Sequence, residues 1–190
     1  MLTPHFAAAV ALASQAHATQ LRKGTNTPYI AHPLAVSALV LEFGGDEEQA
    51  IAALLHDVLE DAGPHYAAPI LAQFGPRVLA IVEACTDGVP DSTGVKPPWR
   101  QRKQAYLDHL HTTSPDALLI SACDKLHNAR AILDDLRDPA IGLAVFARFK
   151  PTPAETLWYH AELARIFAER RSPVAPKLAA TVAELHRLAA

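Results

Sequence analysis

The side chains of this sequence that could do chemistry are concentrated in one short run, His56-Asp57-Val58-Leu59-Glu60-Asp61. The stretch from Ile51 to Leu59 contains no glycine or proline and is mostly apolar, which predicts a helix. Residues four apart lie on one side of a helix, so the imidazole and the three carboxylates of the run face the same way. Like charges beside an apolar core repel one another, and a bound cation would stabilise them. The plainer alternative is a solvated acidic helix end with a capping histidine.

Two further side chains could complete a metal site. His32 precedes Pro33, which predicts the start of a helix, and by itself His32 is better explained as a capping residue. Asp124 directly follows an apolar stretch, and a carboxylate there needs a base or a metal ion. We expect Lys125 to be an insufficient partner for Asp124, because sequence neighbours on a helix point in different directions.

The candidate metal ligands are therefore His32, His56, Asp57 and Asp124. Two imidazoles and two carboxylates suit Mn²⁺, Fe²⁺, Co²⁺ or Zn²⁺ better than Mg²⁺, which usually prefers oxygen ligands only. Such an ion lowers the pKa of bound water and yields a nucleophile near neutral pH. Glu60 and Asp61, one turn further along, are candidate general bases or water-orienting groups.

The segments that must position these residues are all predicted to be helical. Helix starts are marked by Thr3-Pro4, Asp46 and Ser114-Pro115, and helix ends by Gly44-Gly45 and Gly63-Pro64. The predicted helices cover 5–18, 34–43, the run before His56, 67–73, 76–85, 99–111, a segment from 115, 154–170 and 174–188. The longest predicted loop is 86–98. Since no segment alternates with a period of two, we predict a single all-α domain over 1–190, a bundle of about eight to ten helices.

Composition excludes several classes of protein. The net charge of −3 over 190 residues argues against an obligate nucleic-acid binder. Cys85 and Cys123 have no metal or redox spacing, and the N-terminus has no signal-peptide pattern. No apolar run is long enough to span a membrane, so we expect a cytoplasmic protein that acts without membrane or nucleic acid. The oligomeric state is left open.

Three longer segments carry a resemblance to a known family. They are Arg22-Lys23-Gly24 followed by Pro28-Tyr29-Ile30-Ala31-His32-Pro33, then His56 to Asp61, then Asp124-Lys125-Leu126-His127-Asn128. In this order they resemble the HD-domain metal phosphohydrolases, and more closely the hydrolase domain of the RelA/SpoT group. The chain is similar to the small alarmone hydrolases of that group, including the animal form known as Mesh, over about residues 5–170.

The resemblance implies an activity and a role for each matching residue. It implies Mn²⁺-dependent hydrolysis of the 3′-pyrophosphate of ppGpp and pppGpp, a guanine nucleotide substrate, to give GDP or GTP. It implies that His32, His56, Asp57 and Asp124 bind the metal and that Glu60 and Asp61 are the catalytic acids. It also implies that Arg22, Lys23, Asn128 and Trp158 contact the nucleotide, with Arg22 stacking on the base.

Two alternatives remain open from the sequence. The same metal site could hydrolyse another nucleotide, for example by removing the 2′-phosphate of NADPH. A non-catalytic binding module with a structural metal ion is the alternative from a different class. The presence of both Glu60 and Asp61 argues against it, because a structural ion needs only its ligands.

Overall fold

The computed structural model describes residues 2–86 and 97–190, and α-helices dominate both ranges. They are α1 (Pro4–Ala16), α2 (Ala31–Glu42), α3 (Glu47–Leu55), α4 (Val58–Asp61), α5 (Ala67–Cys85), α6 (Trp99–Leu110), α7 (Pro115–Arg137), α8 (Pro153–Glu169) and α9 (Ala175–Ala189), with 3₁₀ turns at Pro64–Tyr66 and Gly142–Arg148. The described residues include one isolated β-bridge, between Leu21 and Pro28, and no strand. The all-α prediction is confirmed for them, whereas most of the loop predicted over 86–98 lies outside the described residues.

The helices divide into two compact units. The first comprises Met1–Pro97 with Thr113–Ser121, and the second comprises Pro98–Thr112 with Ala122–Ala190. Helix α7 is continuous, and its first part belongs to the first unit. The prediction of a single domain over the whole chain stays a prediction.

Helix α3 is the centre of the first unit. It packs against α1, α2 and α5, and all six residues from Ala50 to Leu55 are buried. A helix that is apolar on every side is stable in water only when neighbouring helices surround it. The helix therefore carries its last residues, which lead into His56, into the interior of the unit.

The start of α3 is fixed by polar contacts at its first turn. Asp46 and Gln49 form a capping box, which satisfies two backbone amides that a helix start leaves without partners. Arg77 of α5 donates to the carboxylates of Asp46, Glu48 and Asp116. These contacts join the starts of α3 and α7 to α5, although solvent screening keeps each ion pair weak at this exposed position.

The run predicted as one helix through Leu59 is interrupted in the structure. Helix α3 ends at Leu55, His56 is its C-cap, and α4 begins at Val58. Asp57 has φ −100° and ψ −4°, which turns the next peptide away from the regular helical path. The spacing survives the interruption, since the Asp61 amide still donates to the Asp57 carbonyl at 2.9 Å.

Helix α5 contains the break that Gly75-Pro76 predicts. Gly75 has φ 87°, a left-handed value that favours glycine, and the helix changes direction there. By length and composition alone the segment Pro64–Cys85 is apolar enough to cross a membrane. Within the first unit, its residues Ile70, Phe74, Val78, Ile81 and Val82 are buried, as in a core helix of a globular fold.

The second unit is organised around α8. This helix starts with a capping box between Thr152 and Glu155 and packs against α6 and α9. Phe167 and Leu163 of α8 and Leu178 of α9 are fully buried. The unit therefore has an apolar core of its own, and Trp158 and Tyr159 are carried on the same helix.

We expect Leu54→Ala to lower the free energy of unfolding by about 2–5 kcal/mol, because it leaves a cavity in the centre of the first unit. Leu54 is fully buried in α3, whereas Leu41 of α2 is exposed and serves as the matched control. Urea denaturation followed by circular dichroism measures both. Equal losses for Leu54→Ala and Leu41→Ala would contradict the central position of α3.

Candidate metal centre

The ring of His56 is held in one tautomer by the end of α3. Its Nδ1 lies 2.8 Å from the carbonyl oxygen of Ala53, and the side chain is 3% exposed. A carbonyl can only accept, so Nδ1 carries the proton and donates. In the neutral ring, Nε2 then presents a lone pair, which is the atom that a metal ion binds.

This Nε2 atom faces a carboxylate. Asp57 Oδ2 lies 3.0 Å from Nε2 of His56 and 3.7 Å from Nε2 of His32, which is buried on α2. The two imidazole rings stand edge to face with centroids 5.3 Å apart. A lone pair and a carboxylate oxygen repel each other at 3.0 Å, so the arrangement requires a cation, either a proton or a metal ion.

Tyr29 orients the Asp57 carboxylate. Its hydroxyl donates to Asp57 Oδ2 at 2.6 Å, and its ring contacts the edge of His32 at a centroid distance of 5.6 Å. Hydrogen bonds of this kind to ligand groups fix their geometry and tune metal affinity. No role was predicted for Tyr29 from the sequence, although its place in the segment that leads to His32 is a signal that could have found it.

Asp124 is buried on α7, with two hydrogen-bonded neighbours on the same helix. Asn128 donates to Asp124 Oδ1 and Lys125 donates to Oδ2, each at 2.6 Å. Lys125 does pair with Asp124, because the long lysine side chain bends back to its sequence neighbour. The argument that sequence neighbours point in different directions was therefore incomplete, and the expectation that Lys125 is an insufficient partner stays a prediction. Burial lowers the pKa of Lys125, but the Asp124 carboxylate, Tyr106 and Tyr159 together outweigh burial and raise the pKa well above its ordinary value.

Two buried side chains of the first unit, His32 and His56, meet the distance requirement for one metal ion, since their ligand nitrogen atoms lie within 4.8 Å of each other. Asp124 belongs to the second unit, and its part in the metal site stays a prediction. An ion that bonds nitrogen and oxygen at about 2.0–2.2 Å fits between ligand atoms with this spacing. A divalent cation would also remove the repulsion between Nε2 of His56 and the Asp57 carboxylate, so these donor atoms fit such an ion. Mixed nitrogen and oxygen ligands are typical of first-row metals.

The two predicted catalytic acids, Glu60 and Asp61, lie on α4, directly after the predicted ligands His56 and Asp57. Glu60 is half-buried and Asp61 is exposed. Asp61 accepts a hydrogen bond from the Gln20 side-chain amide at 2.9 Å. Both carboxylates are therefore carried by the short helix that begins directly after the predicted ligand Asp57.

The four residues expected to contact a nucleotide lie in different surroundings. Arg22 lies in the loop after α1, with its guanidinium carbon 5.8 Å from the Tyr29 ring centre, and Lys23 beside it is exposed. Asn128 donates to Asp124, as described above. Trp158 of α8 stacks under the guanidinium of Arg100, 3.2 Å from the ring centre, so Arg100 covers one face of the ring.

The second unit contains a cation–aromatic cluster that the sequence analysis did not identify. Lys103 lies 5.1 Å from the Tyr159 ring centre, and Lys125 lies 4.8 Å from that of Tyr106. Attraction between an ammonium group and an aromatic face favours such contacts, especially where water is excluded. The sequence offered only a weak signal, the basic residues of α6, which also suit a solvated helix face.

His160 is buried beside this cluster and is neutral at pH 7. Burial is the main reason that its pKa lies below the ordinary value of 6.5, and the charges of Lys125 and Lys103 lower it further. Its contact with the Thr156 carbonyl, at 2.9 Å from Nδ1, and the Asp124 carboxylate partly offset these effects.

Comparison with known proteins identifies the family. The family model described as HD domain matches residues 9–151, well over half of the chain. The chain belongs to the HD domain family. Within that family, the resemblance to the RelA/SpoT hydrolases is confirmed by the relatives that the chain matches.

Two curated relatives carry the name guanosine-3′,5′-bis(diphosphate) 3′-pyrophosphohydrolase. The MESH1 protein of Xenopus tropicalis is 39% identical over 121 residues, which are 62% of this chain and 64% of that protein. The Haemophilus influenzae protein is 34% identical over 127 residues, 64% of this chain and 18% of that protein. The match therefore spans slightly less than two thirds of the first relative and a small part of the second.

Two solved structures are similar to this chain over most of its length. A metazoan ortholog of SpoT that hydrolyses ppGpp superposes with a TM-score of 0.73 at 25% identity, covering 95% of each chain. A Listeria monocytogenes EGD-e protein superposes with a TM-score of 0.67 at 26% identity, covering 80% of this chain and 96% of that one.

We expect Tyr29→Phe to weaken Mn²⁺ binding by about 10- to 100-fold, because it removes the hydrogen bond that orients Asp57. Isothermal titration of metal-free protein with Mn²⁺ measures the change. Tyr66→Phe is the matched control, since Tyr66 lies in the 3₁₀ turn after α4. Equal affinities for Tyr29→Phe and Tyr66→Phe would exclude Tyr29 from the support of the centre.

The lowered pKa of His160 predicts a pH dependence of stability in the metal-free protein. Below about pH 6.5 the unfolded chain binds a proton at this position and the folded protein does not. The contribution of the neutral His160 side chain to the free energy of unfolding is thus fully present above about pH 6.5. It is lost, by at most about 1.4 kcal/mol per pH unit, as the pH falls towards the pKa of His160 in the folded protein. Urea denaturation between pH 7.5 and 5.5 measures it. The slope of the free energy of unfolding against pH should be shallower in His160→Asn than in the wild type. It should be unchanged in His186→Asn, the exposed control. Equal slopes in all three proteins would contradict the prediction.

Proposed function

We propose that this protein is a metal-dependent phosphohydrolase that removes the 3′-pyrophosphate of ppGpp and pppGpp, with Mn²⁺ as the metal. One observation carries the proposal. The imidazoles of His32 and His56 converge on Asp57 immediately before a short helix, α4, whose last two residues are Glu60 and Asp61. A structural metal ion needs ligands only, whereas a hydrolytic site also needs groups that handle the proton of the attacking water.

In this proposal the metal is held by His32, His56, Asp57 and Asp124. A divalent cation supplies Lewis acidity towards phosphoryl oxygens and makes water a stronger nucleophile near neutral pH. The Nδ1 proton of His56, donated to Ala53, keeps Nε2 available as a ligand atom. Tyr29 orients Asp57, and Asn128 and Lys125 orient Asp124, by the hydrogen bonds described above.

The carboxylates of Glu60 and Asp61 act on the water. One of them accepts the proton as the water oxygen bonds to phosphorus and the bond from phosphorus to the 3′ oxygen breaks, and the proton is then returned to the leaving 3′ oxygen, which becomes a hydroxyl. The products are pyrophosphate and GDP or GTP. General-base groups of this kind contribute about 10²–10⁴-fold to a rate, which sets the loss expected when one is replaced.

Arg22, Lys23, Asn128 and Trp158 are proposed to contact the guanine nucleotide. Guanidinium groups and aromatic rings stack on purines, and cations attract polyphosphate. The substrate itself is supported by the relatives in Xenopus tropicalis and Haemophilus influenzae, whose names specify this reaction, and by the metazoan SpoT ortholog that hydrolyses ppGpp. The cytoplasmic location expected from the sequence stays a prediction.

We expect purified protein with Mn²⁺ to convert ppGpp to GDP and pyrophosphate, resolved by ion-exchange chromatography. Asp61→Asn should lower kcat by about 10²–10⁴-fold, because it removes a proton acceptor and keeps the side-chain size. Asp134→Asn, an exposed acid on α7, is the matched control and should retain the wild-type rate. Equal rates for Asp61→Asn and the wild type would remove Asp61 from the mechanism.

Parallel reactions decide between this proposal and its rivals. Replacing Mn²⁺ by Mg²⁺, Zn²⁺ or Fe²⁺ tests the metal, with Mn²⁺ expected to give the highest kcat/KM. A reaction with NADPH tests the alternative substrate. Release of phosphate from NADPH without any hydrolysis of ppGpp would show that the site removes the 2′-phosphate of NADPH instead. A folded, metal-loaded protein that turns over neither nucleotide would favour the binding module instead.

A further inference from the structure

His17 is a buried histidine outside the ligand set. It is the C-cap residue of α1, and its side chain is 3% exposed. Its Nδ1 lies 2.7 Å from Oε1 of Gln20, and its ring packs against Tyr29 with centroids 4.9 Å apart. Burial alone is compatible with a role in packing only.

The hydrogen bonds of Gln20 have a defined direction. The Gln20 side-chain nitrogen donates to Asp61 Oδ2 at 2.9 Å. Because an ionised carboxylate only accepts, the amide nitrogen must face Asp61 and the amide oxygen must face His17. The oxygen in turn accepts from His17, so the proton of the neutral imidazole lies on Nδ1.

We propose that His17 and Gln20 are positioning residues for Asp61. This inference rests on the proposed function, in which Asp61 handles the proton of the attacking water. His17 fixes the orientation of the Gln20 amide, and the amide fixes the rotamer of the Asp61 carboxylate. The geometry assigns to a buried histidine the control of the exposed Asp61 carboxylate.

The physical reason is the symmetry of the glutamine amide. Its oxygen and nitrogen ends have nearly the same shape, so without a partner the group can rotate by half a turn. The rotated amide would present its oxygen to Asp61, and two acceptors would repel. His17 opposes the rotation, because a rotated amide would face Nδ1 with its nitrogen and move the imidazole proton to Nε2, which is buried and has no hydrogen-bond partner among the described residues. An exposed aspartate held in one rotamer is ready to react, whereas a mobile one must first be ordered.

Tyr29 gives His17 a second connection to the candidate centre. The Tyr29 ring packs on His17, and the Tyr29 hydroxyl donates to Asp57. The Tyr29 amide also donates to the Gln20 carbonyl oxygen at 2.9 Å, which fixes the backbone of Gln20 relative to Tyr29. His17 therefore contacts the partners of both Asp57 and Asp61, from α1 and the loop that follows it.

Two substitutions separate the hydrogen bond from packing. His17→Phe keeps a ring against Tyr29 and removes the donor. His17→Asn places an amide nitrogen near the position of Nδ1 and removes most of the ring. We expect His17→Phe to lower kcat for ppGpp by about 10- to 100-fold with KM within about twofold, since misplacement of a reacting group acts on the chemical step. His17→Asn should recover most of the loss, and the exposed His5→Phe should match the wild type.

A spectroscopic measurement tests the same contacts without turnover. Long-range ¹H–¹⁵N correlation of the ¹⁵N-labelled protein reports which imidazole nitrogen carries the proton. We expect the proton of His17 on Nδ1 in the wild type. Asp61→Asn should shift His17 towards the other tautomer, because His17 and Asp61 together hold the Gln20 amide in one orientation and an asparagine amide removes one of these two constraints. Gln20→Leu should have the same effect by removing the acceptor.

The outcomes separate the positioning role from the proposed function. A His17 proton on Nε2 in the wild type, or a His17 spectrum indifferent to Asp61→Asn, would overturn the positioning role. Parallel losses of kcat in His17→Phe and His17→Asn would overturn it too, since packing alone would then explain them. A wild-type protein that fails to hydrolyse ppGpp while His17 shows the expected tautomer and its response to Asp61→Asn would overturn the proposed function and support the hydrogen-bonded connection.

Discussion

The contact between Nε2 of His56 and Oδ2 of Asp57 is the constraint on which the candidate centre depends. The His56 ring has committed its Nδ1 proton to the Ala53 carbonyl, so the atom that faces the carboxylate carries a lone pair. Two acceptors at 3.0 Å are stable only with a cation beside them. His32, whose Nε2 lies 3.7 Å from the same carboxylate oxygen, belongs to the same arrangement, and a divalent metal ion satisfies all three groups at once.

Much of the first unit holds this contact in place. Helix α3 is buried on every side, so it delivers His56 to the interior with little freedom to move. The break after Leu55 lets Asp57 turn back towards the two imidazoles, while α4 resumes and carries Glu60 and Asp61. The apolar core thus supports a polar site at the end of its most buried helix, as is usual where a reactive group must be precisely oriented.

A second set of side chains supports Asp57 and the predicted catalytic acid Asp61. Tyr29 bonds to Asp57, and Gln20 bonds to Asp61, and both residues lie in the segment that follows α1. The ring of His17 touches Tyr29 and bonds to Gln20. Hydrogen bonds that run from a buried group outwards restrict the rotamers of the exposed acids, which lowers the cost of assembling a reactive geometry.

The sequence by itself determined most of the helices and suggested the residue types of a metal site. Caps at Thr3 and Asp46, the glycines that end helices, and the apolar periodicity are local signals, and each depends on residues close together in the chain. The residue types of His32, His56, Asp57 and Asp124 and their placement after apolar runs were also sufficient to suggest a metal site. Only the tertiary structure decided how these groups are supported. The contacts of His17 and Gln20 with Tyr29 and Asp61 depend on packing between segments up to 41 residues apart. The turn at Asp57 and the bend of Lys125 back to Asp124 depend on backbone angles and rotamers that the local sequence leaves free.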